Sequence, residues 1–192
     1  MEPMLTMALR AARKAGEIIE RALERVDLVE IEEKGRNDFV SEVDRKAEQE
    51  ILYHLKKAYP GHGFRGEESG VIGNPDSEYQ WVIDPLDGTT HFPHGIPHFA
   101  VSIACLYKGQ LLHGVVLDPV KREEYTASKG KGAALNGRRL RVSNRRSLEG
   151  ALIGTGIPFN GFALENIQSY LNCLREIAGQ TAGVRRPGSA AL

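Results

Sequence analysis

The sequence predicts an α+β fold, with helices layered on a mostly antiparallel sheet. Two stretches carry the helices: apolar or small residues recur with a helical period over residues 4–25 and again over 42–58. A third observation carries the sheet. From Gln80 onward the pattern changes to short apolar strands separated by tight turns. Helices first, then a meander, then alternation is an α+β order.

Taken in order, the first helix places Leu5, Ala8, Ala12, Ala15, Ile19 and Ala22 on one face. The second repeats the pattern at Val43, Ala47, Ile51 and Leu55, with Ser41 as N-cap and Tyr59-Pro60-Gly61 as the stop. Strands are expected at QWVID, HFAVSIACLY, LLHGVVLD, EEYTAS, AALN and RLRVS, divided by turns such as KGQ, DPVKR, KGKG and Asn136-Gly137. ALIGTG reads as a further strand, followed by a helix over about 163–178. GVRRPG then leads into a helix start at Ser189–Leu192, with Ser189 as N-cap. One helical turn cannot sustain itself, so the chain reads as truncated. There is no internal repeat and no low-complexity linker.

Composition narrows the class. The 192 residues are 41% hydrophobic and 26% charged, an ordinary globular balance. No apolar run approaches the roughly 20 residues needed to span a bilayer. The N-terminus, MEPMLTMALRAARKAGEII, lacks a secretory apolar core. The expectation is a cytoplasmic protein with no membrane partner. Cys105 and Cys173 are too few for a disulfide framework and read as small core residues. Net charge is zero, yet residues 121–147 hold nine Lys or Arg against two Glu. That stretch reads first as a solvated hairpin face, ahead of a surface for nucleic acid or an acidic partner. Few aromatics lie near it for base stacking.

Three acidic clusters carry the chemistry: 35-GRNDFVSEVD-44, 66-GEESG-70 and 81-WVIDPLDGTTHF-92. In the third, a buried strand ends in two carboxylates, Asp84 and Asp87. Pro85 fixes one φ and removes a donor, which turns the chain sharply so that Asp87 can fold back toward Asp84. The Leu86 carbonyl can face the same cation. Magnesium takes oxygen ligands, usually carboxylates plus substrate phosphate. Gly88-Thr89-Thr90 offers closely spaced amides suited to a phosphate. An isolated Asp-x-x-Asp is usually only a polar turn, and GEESG alone fits a solvated loop. Two glutamates and two aspartates on separate glycine-marked turns leave two readings open, a divalent-metal phosphate site and a pair of polar turns. His91, His94 and His98 read as hydrogen-bonded loop histidines, because carboxylate surroundings favour magnesium over a transition metal.

GEESG, WVIDPLDGTT, PHFAVSIA, the Asp118-Pro119 and Asn136-Gly137 turns and RRPGSAAL together resemble the inositol monophosphatase family, nearest its bacterial SuhB-type members. The resemblance runs from residue 1 to 192. It implies a layered αβαβα fold and Mg²⁺-dependent, lithium-sensitive hydrolysis of a phosphate monoester, most simply inositol 1-phosphate. Carried over position by position, Glu67, Asp84 and the Leu86 carbonyl would hold the first Mg²⁺. Asp84 and Asp87 would serve the second, and Glu67 would help place a third through water. Asp44 and Thr89 match the pair that positions and deprotonates the attacking water. The Gly88 and Thr89 amides would receive the phosphate, and Asp87, Gly188 and Ala190 match positions lining the sugar-alcohol site.

The resemblance also implies a homodimer. A second role follows from it as well: binding the transcription factor NusA and RNA polymerase in ribosomal RNA antitermination. Departures are His91 where the family has Asn, Arg65 beside the acidic centre, and the absence of a C-terminal Trp-Asp-x-Ala-Ala-Gly motif, since Trp81 is the single Trp. Members run about 70–80 residues further, so residues 1–192 read as the N-terminal and central part of one domain. The resemblance therefore implies that this 192-residue chain is impaired as an enzyme.

Overall fold

A computed structural model describes residues 2–25, 31–35, 38–157, 165 and 167–192. The chain forms two compact units: Met1–Arg141 with Ala191–Leu192, and Val142–Ala190.

In the first unit, α1 (Pro3–Leu23) starts with proline in its first turn, where a missing N–H costs nothing. Its buried face is Leu5, Ala8, Leu9, Ala12, Ala15 and Ile19. Strands β1 (Ile31–Gly35) and β2 (Asp38–Ser41) pair antiparallel and lead into α2 (Glu42–Ala58). Helix α2 buries Val43, Ala47, Ile51 and Leu55 as the sequence predicts, but also the acids Asp44 and Glu48.

The main sheet contains β3 (Gly63–Gly66), β4 (Gly70–Gly73), β5 (Tyr79–Asp87), β6 (Ala100–Tyr107), β7 (Gln110–Asp118), β8 (Glu123–Ser128), β9 (Gly132–Leu135) and β10 (Arg138–Arg139). Their order is β10-β9-β8-β7-β6-β5-β3-β4. All neighbours are antiparallel except β3 and β5. Helices α1 and α2 pack on each other, α1 also lying against β6, β7 and β8 and α2 against β5. Between helices and sheet sit Ile19, Ile51, Leu55, Phe64, Trp81 and Ile83, all essentially inaccessible. Gly16 lets α1 approach closely, because a Cβ there would lie 3.0 Å from Leu117 Cδ2.

The second unit pairs β11 (Leu152–Gly154) in parallel with β12 (Gly183–Arg185) and contains α3 (Ile167–Ala178). The start expected for that helix falls partly on residues outside those described.

Some elements differ from the sequence reading. The strand expected at RLRVS ends at Arg139. The Leu140 N–H still donates to the Ala133 carbonyl at 2.8 Å, and the pairing closes there, next to the glycine turn that opens β9. Residues 189–192 form no helical turn, in keeping with the cost of nucleating one turn alone. GVR, read as a lead-in, is β12. Strands β1 to β4 lie outside the strands the sequence pattern predicts.

Candidate functional site

The site forms where β5 ends beside β3. The parallel register sets Gly66 against Ile83, so the turn after β3 opens next to Asp84. The Glu67 N–H donates to the Ile83 carbonyl at 3.1 Å, fastening that turn to β5.

Asp84 and Asp87 are three residues apart, which in a regular strand would put them on opposite faces. Against β6, however, Asp84 pairs with Ser102 and Asp87 with Ala100. Three steps on β5 thus match two on β6: a bulge with one extra residue, at a place that admits Pro85. The bulge restores both carboxylates to one side. Asp84 Oδ1 also accepts the Leu86 N–H at 3.1 Å, which tightens the bend.

The electrostatics follow from that convergence. Burial, the charge of Glu67, a hydrogen bond shared with Glu67 and the charge of Asp87 push Asp84 up to about 8, and the Leu86 N–H offsets this only in part. Asp84 is the member common to both pairings. Among the described residues the carboxylates, with the histidines and cysteines, do not close into one three-ligand cage. Two carboxylate pairs sharing Asp84 suit adjacent cations better than a single enclosed one. A set made only of carboxylate and carbonyl oxygens selects a hard ion. The donor set therefore fits a divalent cation.

Beyond the carboxylates, Leu86 is buried, and its carbonyl accepts the Thr89 hydroxyl at 2.9 Å while retaining a second lone pair. Gly88 has φ 97°, and a Cβ there would lie 3.0 Å from the His98 carbonyl, so glycine is required. Asp44 is 1% exposed in the first turn of α2. His91 Nδ1 lies 2.7 Å from the His98 carbonyl and His94 Nδ1 2.7 Å from that of Thr90, so both histidines hold the loop itself. Gly188 and Ala190 lie in the second unit, both exposed, Gly188 with φ 95°. Arg65 is exposed in the middle of β3.

Two contacts escaped the sequence reading. Asp87 Oδ2 accepts the N–H of Ala191 at 2.7 Å, across 104 positions of sequence, and nothing local could announce it. Glu48 on α2 accepts the N–H groups of Glu68 and Ser69, each at 2.9 Å. Here a signal existed: Asp44 and Glu48 stand four residues apart on the face that otherwise reads Val43, Ala47, Ile51 and Leu55.

With this geometry in view, known proteins agree on its origin. The sequence model of the inositol monophosphatase family matches residues 1–192. A Pseudomonas aeruginosa protein named Nus factor SuhB is 62% identical over 194 residues, an alignment covering all of this chain and 72% of that protein. A crystal structure of extragenic suppressor protein suhB from Bartonella henselae superposes with a TM-score of 0.94 at 44% identity, over 99% of this chain and 72% of that one. An inositol monophosphatase from Anabaena gives 0.80 at 33% identity, over 97% and 67%. With both the sequence model and the superposed folds spanning nearly its whole length, the chain belongs to the inositol monophosphatase family.

Proposed function

We propose that the residues around Asp84 form the Mg²⁺ site of a phosphatase acting on phosphate monoesters, with inositol 1-phosphate as the substrate. The observation that carries this reading is the convergence of Glu67 and Asp87 on the half-buried carboxyl of Asp84 beside the Leu86 carbonyl. Glu67, Asp84 and the Leu86 carbonyl hold one ion in this assignment, Asp84 and Asp87 a second, and Glu67 supports a third. Bound Mg²⁺ supplies neutralisation of the phosphoryl oxygens and of charge on the attacking and leaving oxygens.

The chain's own groups do the remaining work. The Gly88 and Thr89 amides receive the phosphate, since only glycine allows the backbone so close at that bend. Asp44 takes the proton of the attacking water, with Thr89 as its neighbour in the assignment. Asp87 orients the sugar alcohol; Gly188 and Ala190 match family positions with the same role. Residues 1–192 are then one portion of a single domain, a reading supported by a family match that runs through both compact units.

The test is phosphate release from inositol 1-phosphate under Mg²⁺ titration, comparing the chain with Asp87→Asn. Asparagine keeps an acceptor for the Ala191 N–H but removes the charge. Activity should fall by at least about 100-fold, with the circular dichroism spectrum unchanged. Unchanged activity, in a parent chain that itself releases phosphate, would remove Asp87 from the site.

The name Nus factor on a relative of 62% identity supports a second role in transcription antitermination, for which the family resemblance implies NusA and RNA polymerase as partners. Such binding needs a surface rather than a metal site. Asp87→Asn should leave it intact, and binding lost together with activity would argue against a separate surface.

A further inference from the structure

Glu48 has no part in the assignments above, yet it is bonded to the turn that carries Glu67. It lies on α2 and is 2% exposed. Oε2 accepts the Glu68 N–H and Oε1 the Ser69 N–H, both at 2.9 Å. Bonds to an ionised acceptor are the stronger kind, and two of them on successive amides fix the orientation of both peptide planes. The Glu67 N–H is itself bound to the Ile83 carbonyl at 3.1 Å. Three consecutive amides, 67 to 69, are thus fixed, one by β5 and two by α2. The same carboxylate accounts for the glycine that opens the turn, because a Cβ at Gly66 would lie 2.5 Å from Glu48 Cδ.

Burying a carboxylate is costly unless its oxygens are bonded, and an apolar residue at position 48 would simply extend the buried face of α2. What the charge achieves here is control of the turn. We propose that Glu48 is a positioning residue for the metal site: it holds the 67–69 turn so that the Glu67 carboxylate faces Asp84. The inference rests on the metal-site reading given above. It predicts that Glu48 acts on metal affinity through Glu67, beyond any contribution to folding.

The test uses Mn²⁺ as the probe, without substrate, on the intact chain and on Glu48→Gln, Glu48→Ala and Gly66→Ala. Binding is followed by titration well below each melting temperature, and hydrogen exchange is read at the Glu68 and Ser69 amides. Glu48→Ala should bind Mn²⁺ at least about tenfold more weakly, the size expected when a group supporting a ligand is removed. Both amides should exchange at least about tenfold faster. Glu48→Gln keeps one acceptor oxygen and should fall between. Gly66→Ala should weaken Mn²⁺ binding in the parent chain but by less than about twofold in Glu48→Ala, where the obstructing carboxylate is gone.

Mn²⁺ affinity within about twofold of the parent in both Glu48 variants, with faster exchange, would make the role structural only and overturn the proposal. Unchanged exchange would overturn it by showing that the amides are held otherwise. Failure of the parent chain to bind Mn²⁺ would instead strike the metal-site reading itself, and the inference with it. If Glu48→Ala does not fold, Glu48→Gln and Gly66→Ala carry the same test.

Discussion

Asp84 concentrates the electrostatics of the site in one residue. Folding carries its carboxyl from an ordinary 3.8 to about 8, through burial and the neighbouring Glu67 and Asp87. Between those values the folded chain keeps a proton that the unfolded chain has released. Metal-free stability should therefore fall as pH rises from about 4 to about 8 and level off above. A cation displaces that proton, so Mg²⁺ should bind more tightly as pH approaches about 8. Differential scanning fluorimetry checks this: the Mg²⁺-induced rise in melting temperature should be larger at about pH 8 than at about pH 6. Equal shifts would separate the Asp84 proton from metal binding. Gly88 supplies a second prediction. Gly88→Ala forces a side chain onto φ 97° against the His98 carbonyl, and should cost about 1–3 kcal/mol in urea unfolding. A cost near zero would show that the bend relaxes.

Among the elements, β5 and α2 matter most. Helix α2 anchors the site through ordinary core packing as well as through its acids. Ile51→Ala should cost about 2–5 kcal/mol by chemical denaturation, with Mn²⁺ affinity held within about twofold because no site residue loses a partner. The helices were legible because α1 and α2 repeat their apolar residues over whole turns. Strands β5 to β8 were legible because they run to six residues or more between clear turns. By contrast GFRG and GVIG, the strands β3 and β4, are four residues each and glycine-bounded, with little intrinsic strand preference. IEEKG, β1, is mostly charged or glycine. At the site, the clusters GEESG and WVIDPLDGTTHF were visible as residue types. Their meeting depends on the parallel register of β3 with β5 and on the one-residue bulge at Pro85, and both are pairings between distant segments. The bonds that Glu48 accepts from Glu68 and Ser69 span 20 and 21 positions, and the packing of α2 against the sheet brings them together.

Across the whole chain, the basic stretch ends the first unit and begins the second. Arg138, Arg139, Arg141, Arg145 and Arg146 are all exposed, and residues 140–146 have no regular structure. Exposed irregular backbone is where proteases cut first. Brief trypsin treatment should therefore cleave within 138–146 before any site in α1 or α2, as read by mass spectrometry of the first fragments. Early cleavage inside α2 would contradict the packing of that helix against β5. The first unit contains Glu67, Asp84, Leu86, Asp87, Gly88, Thr89 and Asp44, so the metal and phosphate assignments depend on it. That localisation can be read directly from Mn²⁺-soaked crystals by anomalous diffraction. The account predicts an anomalous peak touching the carboxylates of Glu67 and Asp84 and the Leu86 carbonyl. A peak away from Asp84, or none at saturating Mn²⁺, would contradict it.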